Sequence, residues 1–280
     1  MPSPSRRSLA GLVPIVAICL ASFAIPCGPA SAAGGADGRF DERGSRHFVL
    51  REDVAIDQRT GPRGSNQFQR ELLDVLEAGY DALDDVLGLR PRRRIEVEVY
   101  DAAIFDARFV ALLPFPAAGF YGGIIRVRGD VRVTPQLTGT LHHELLHAAL
   151  DAEAPSLAVP AWLNEGLAEW FSARVAGRPA LGPAARAALA DAADRDALLP
   201  FDALARPTLV ALAPDAAPLA YLQAAALVDT LARRGGERAL REFLAQYLRH
   251  GDLDRALERS IGLDVRGLEA ATLASLRAGP

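Results

Sequence analysis

The chain contains no lysine; all 31 of its basic residues are arginine. With the heavy use of alanine, this points to codon bias rather than to a chemical requirement. Cysteine is limited to Cys19 and Cys27, and methionine to Met1. A chain that loses its first 32 residues has no thiol. Disulfides, a thiolate nucleophile and cysteine metal ligands are then excluded. Positive charge is not in excess: the formal net charge is −4, which argues against a nucleic-acid partner. No long uninterrupted apolar run exists either. Leu9 to Ile25 is short for a membrane span, and Pro14 interrupts it. No solenoid-type repeat is present.

The first feature that is present is an export signature. Arg6 and Arg7 precede the apolar run, and "PCGPASA" follows it with Ala30 and Ala32 where a signal peptidase reads. Residues 1–32 are expected to be a cleaved signal peptide, which would place the protein in the periplasm or outside the cell. An uncleaved anchor is the alternative. "SRRSL" from Ser5 faintly resembles a twin-arginine signal and does not decide the export route. Cys27 is a poor lipid-attachment site because Pro26 precedes it. Cleavage would remove two arginines and no acid, leaving a more acidic chain with no stable membrane span.

Residues 33–45 are Gly-rich and polar and are expected to form a flexible leader. The remaining 46–277 suit a single domain, with a sheet and one central helix in 46–150 and helices in 151–277. Strands are expected over 46–50, 94–101 and 121–129, the last entered through Gly122 and Gly123. Apolar spacing predicts helices over 66–88, 135–152, 160–174, 184–193, 219–234, 237–249 and 252–260. Strands first and helices afterwards indicate an α+β fold.

"LHHELLHAAL", Leu141 to Leu150, holds three of the five histidines. Thr134 and Pro135 are a favourable N-cap and first helical residue, so the cluster lies in mid-helix. His143 and His147, at i and i+4, are about 40° apart around the axis and can reach one ion. His142 is turned about 100° from His143 and is poorly placed as a third ligand. Glu144 stands where it can touch a metal-bound water instead of the metal. This is the His-Glu-x-x-His arrangement of zinc hydrolases. The alternative is a core helix with incidental histidines.

Classes that extend the motif to a third histidine and a Met-turn are excluded by Leu150, Glu153 and the missing methionine. The next helix offers acids instead. "AWLNEGLAEWF" carries Glu165 and Glu169 at i and i+4, one suited to be a ligand and the other to hold a histidine N–H. A solvated acidic face is the alternative.

With seventeen residues between His147 and Glu165, "HELLH" and "WLNEGLAEWF" resemble the gluzincins, particularly the peptidase MA-like group. "HFVL", "IEVEVYD", "GFYGGIIRVRG" and the helical tail extend the resemblance over about 46–277. It implies a zincin-like fold: a small mixed sheet with an active-site helix, followed by a mainly helical part. It also implies that Glu165 completes a Zn2+ site with His143 and His147. The His147–Glu165 gap is one residue shorter than in the related aminopeptidases, and their Gly-x-Met-Glu-Asn element is absent. Aminopeptidase activity is therefore not implied.

The expected function is that of an exported zinc metallopeptidase acting on a peptide or protein substrate through a zinc-activated water, with Glu144 as general base. Relatives carry a tyrosine or histidine that supports the oxyanion near a helix start some tens of residues beyond the glutamate. Tyr221 in "APLAYLQAAALVD" is the candidate, with packing against the glutamate helix as the equal alternative. Two other functions stay open: a zinc-binding envelope or assembly protein without turnover, and a zinc hydrolase acting on another bond. His47 and His250 are expected at the surface or at caps. Tyr121 is expected to pack on a strand, with a place in the cleft as the other option.

Overall fold

The computed structural model describes residues 39–54, 56, 61–109, 117–209 and 212–278. The expected signal peptide lies outside the described residues. The architecture is α+β: a five-stranded mixed sheet and a mainly helical C-terminal part.

The sheet has the order β1-β2-β3-β5-β4. β1 (Asp41–Gly44) runs antiparallel to β2 (Phe48–Asp53), and β2 runs parallel to β3 (Ile95–Tyr100). β3 is parallel to β5 (Ile125–Arg128), and β4 (Gly119–Tyr121) returns antiparallel on the outer edge. The alternation in "IEVEVY" puts Ile95, Val97 and Val99 into the core and Glu96 and Glu98 on the other face. Glu98 is held there by Arg126 at 2.9 Å.

Three sequence expectations need correction. Residues 41–44 are not leader but strand, because β1 pairs along β2 and polar composition does not prevent an exposed edge. The segment 121–129 is not one strand. Gly122 and Gly123 form the turn of a hairpin, with Gly123 at φ 83°. Its edge strand is therefore β4, and the 125–128 segment lies inside the sheet. Three helices escaped the periodicity: α2 (Ala102–Phe109), short and weakly amphipathic, the four-residue α6 (Phe201–Leu204), and α9 (Val265–Arg277).

α1 (Gly61–Ala82) starts earlier than expected. It ends in a π-helical turn, Leu83–Leu87, closed by the left-handed Gly88. α3 (Pro135–Glu153) has the predicted start: Thr134 accepts from the Leu137 N–H at 3.2 Å, a cap worth about 1 kcal/mol. Every residue of α3 from Thr140 to Leu150 is buried, because sheet, α1 and α4 (Ala161–Val175) surround it. α5 (Pro183–Asp194) and α6 (Phe201–Leu204) lead to α7 (Ala217–His250), which breaks at Gly236 with φ 72°. The two helices expected there are the halves of this broken one. α8 (Leu253–Ile261) and α9 pack on it.

α4 and α7 approach so closely that a Cβ on Gly166 would stand 2.4 Å from the Ala224 carbonyl oxygen. One apolar core runs from Leu50 and Val97 through Leu76 and Leu145 to Leu167 and Val228. Among the described residues no helix is long and apolar enough to cross a membrane.

Candidate metal centre

α3 presents His143 and His147 on one face, with ring centroids 4.9 Å apart. α4 brings Glu165 against them. Its Oε2 is 3.5 Å from His143 Nε2 and 3.7 Å from His147 Nε2. The three atoms form a group that could hold a metal ion. All three are buried, and none has a hydrogen-bond partner. Leaving such atoms unpaired costs about 1–3 kcal/mol each, a cost that a shared cation removes. Atoms bonded to one tetrahedral ion at about 2.1 Å lie about 3.4 Å apart, close to both observed separations. The donor set fits such an ion.

The other ring nitrogens are held from behind. His147 Nδ1 lies 2.9 Å from Asn164 Oδ1, and His143 Nδ1 lies 3.3 Å from Glu169 Oε1. Each contact turns the opposite nitrogen, Nε2, towards Glu165. Glu169 thus takes the supporting position expected for one of the two acids. Asn164 was not singled out; a lone polar residue directly before Glu165 on a buried helix was its only signal.

Burial opposes charge on His143, but the Glu165 and Glu169 carboxylates outweigh it and hold this imidazole well above its ordinary pKa. Burial, then the charge of His143, drives His147 well below it. Burial also raises Glu165, against the pull of His143.

Glu144 is 0% exposed, and its charge acts on His143. His142 is buried and points away from this centre. Its Nε2 lies 3.1 Å from the Val75 carbonyl on α1, and burial lowers its pKa. Tyr221 is buried on the first half of α7, the helix that covers α4. Tyr121 donates to Asp151 Oδ2 at 2.7 Å, tying the edge strand to the end of α3. His250 ends α7 before the left-handed Gly251, the cap position expected for it. His47 is half-buried: it stacks on Tyr80 and bonds Glu77.

No protein of curated function matches the chain. The solved structures similar to it include two zinc metallopeptidases. One is the M1 zinc metallopeptidase from Deinococcus radiodurans, 17% identical, with 86% of this chain and 52% of that one covered at a TM-score of 0.43. The other is a mutant two-domain M1 zinc metallopeptidase bound to L-tryptophan, 17% identical, with 85% and 51% covered at 0.43. The chain spans about half the length of each. The sequence profile of the Peptidase MA superfamily matches residues 85–278, a stretch holding both α3 with its histidine pair and α4 with Glu165. The chain belongs to the Peptidase MA superfamily.

Proposed function

We propose that the protein is an exported zinc-dependent metallopeptidase that hydrolyses peptide bonds. One observation carries this reading: three unpaired, buried ligand atoms converge beside Glu144 in a chain of this superfamily. His143, His147 and Glu165 would hold the ion, and Asn164 and Glu169 would fix the two rings. The zinc, when bound, supplies a Lewis acid that acidifies water and polarises a carbonyl. Glu144 takes a proton at its carboxylate from the attacking water and passes it to the nitrogen of the departing amine. The outer edge of β4 offers backbone groups that an extended peptide can pair with. The Tyr221 hydroxyl donates to the developing oxyanion, a contribution typically worth about 10²–10³ in rate.

The test is a peptide-library digest of wild type beside Glu144→Gln, with zinc content measured in both. The variant keeps its zinc and loses cleavage. Equal cleavage by both would remove Glu144 from the mechanism. Tyr221→Phe tests the second role: kcat falls at least about tenfold at unchanged zinc content, whereas an unchanged kcat leaves Tyr221 a packing residue.

A second reading, a zinc-binding envelope or assembly protein without turnover, has one observation behind it. His143, Glu144, His147 and Glu165 are each at most 3% exposed. A wild type that holds zinc and cleaves nothing in the library supports that reading. Export is tested by the amino-terminal sequence of the secreted or periplasmic protein, expected to begin at Ala33.

A further inference from the structure

Among the described residues β4 has one strand neighbour, β5. The turn between them packs on nothing: a Cβ on Gly122 or Gly123 would meet no atom within 4 Å. Two ladder bonds set the backbone of β4. The Arg128 N–H donates to the Ala118 carbonyl at 2.7 Å, and the Gly122 N–H to the Ile124 carbonyl at 3.2 Å. By the alternation of an antiparallel pair, Phe120 also turns its N–H and C=O towards β5, and Gly119 turns its own to the outer edge. Side chains alternate between the two faces. Phe120 joins Phe105 on one face, and Gly119 and Tyr121 lie on the face that meets α3.

β4 meets α3 at both of its ends. Gly119 comes so close that a Cβ there would stand 2.7 Å from Thr140 Cγ2. Tyr121 donates its hydroxyl to Asp151 Oδ2 at 2.7 Å. These two residues of α3 bracket the histidine motif. Thr140 is one turn before Glu144, and Asp151 is one turn after His147. At about 100° per residue, Thr140, Glu144, His147 and Asp151 fall within about 60° of one another around the axis. β4 thus lies along the stripe of α3 that carries Glu144. The Gly119 contact fixes how near the strand comes to the helix. A second contact is needed to fix the angle between them, and the Tyr121–Asp151 hydrogen bond supplies it.

We propose that Tyr121 and Asp151 are positioning residues for the substrate. Their hydrogen bond holds the outer edge of β4 at the angle in which an extended peptide pairs with it beside Glu144. The proposal rests on the metallopeptidase reading above. The pair acts through β4 and not on the reacting atoms. Losing the bond lets β4 swing about Gly119, so a smaller share of the molecules is ready to pair. That weakens binding of ground state and transition state alike, which raises KM and leaves kcat in place.

The experiment takes a peptide that the zinc-loaded wild type cleaves and measures KM, kcat and zinc content in four variants. Tyr121→Phe and Asp151→Ala each raise KM about threefold to tenfold, with kcat and zinc unchanged. The double variant is no worse than either single one, because both remove the same bond. Asp151→Asn keeps an oxygen that accepts from the phenol and restores most of the wild-type KM. Ser260→Ala, which removes a hydroxyl hydrogen bond on α8, leaves KM unchanged. A wild-type KM in Tyr121→Phe would overturn the proposal while the metallopeptidase reading stands. So would a fall in kcat at constant KM, which would place the pair in the chemical step. An equal rise in KM with Ser260→Ala would overturn it as general destabilisation. A wild type that holds zinc and cleaves no peptide would overturn the metallopeptidase reading itself, and this proposal with it.

Discussion

His147 Nδ1 lies 2.9 Å from Asn164 Oδ1, and the residue after Asn164 is Glu165, whose Oε2 faces the other nitrogen of the same ring at 3.7 Å. Adjacent residues of α4 thus address both ends of one imidazole. The amide oxygen accepts the Nδ1–H, which fixes the tautomer and leaves Nε2 as an electron-pair donor. Asn164→Ala is expected to weaken zinc by about 10–100-fold with the fold intact, and Glu169→Ala to act similarly through His143. Competition with a chelator of known affinity measures both. Wild-type affinity in Asn164→Ala would make the contact incidental.

His142 belongs to the packing of α1 on α3. A Cβ on Gly79 would come within 2.8 Å of its ring, and the Val75 carbonyl is its hydrogen-bond partner. His142→Ala leaves a cavity and removes the side-chain contact to the Val75 carbonyl, at a cost of about 2 kcal/mol. For a chain of this size that lowers Tm by about 4–8 °C. Zinc content should be unchanged; loss of stoichiometric zinc would make His142 part of the centre.

Gly166 sets the depth at which α4 sits on α7. Gly166→Ala would drive a methyl group into the Ala224 carbonyl, a backbone atom that cannot swing aside. Overpacking of this kind costs about 1–3 kcal/mol, and the displaced α4 carries Glu165 with it. Lower stability together with weaker zinc binding is expected from denaturation and chelator titrations. Lower stability with undisturbed zinc would show that the helix yields elsewhere.

The Glu77 carboxylate is the pH-sensitive clasp of the first hairpin. Burial alone would raise its pKa. Hydrogen bonds from the Ser45 hydroxyl, the His47 N–H and the His47 ring outweigh burial and hold it below the usual 4.5. A lowered folded-state pKa stabilises above the unfolded value, and this is lost as pH falls through the folded one. Glu77→Gln should therefore cost about 1 kcal/mol at pH 7, and the gap from wild type should close well below about pH 4. A constant gap in denaturant midpoints across that range would contradict the assignment.

α3 and its ligand pair were legible because several signals coincide there: the Thr134 cap, Pro135, helical apolar spacing and a metal-ligand interval. Glu165 and Glu169 were legible as two acids on one face of an otherwise apolar helix. The β4–β5 hairpin was not, because Gly122 and Gly123 sit inside a continuous apolar stretch and suit a bend as well as a strand entrance. β1 was hidden by its composition: "DERG" has no apolar residue, and only pairing with β2 makes it a strand. α2 buries an aromatic cluster, Phe105 against Phe120 and Tyr100, more than an amphipathic stripe, so periodicity has little to detect. Asn164 escaped because an amide has no metal-ligand signature; its role depends on which way His147 turns.

The break at Gly236 divides α7 into a proximal half that seats α4 and a distal half that carries α8. A helix without a break would pass a rotation of about 100° per inserted residue along its whole length. A break in the backbone path ends that transmission. Insertions or deletions beyond Gly236 therefore re-phase the distal helices without turning Ala224 away from Gly166. The contact that seats the Glu165 helix, Gly166 on Ala224, therefore depends on the phase of the proximal half, while the distal half is phased separately to bury Leu240, Phe243 and Tyr247 in the same core.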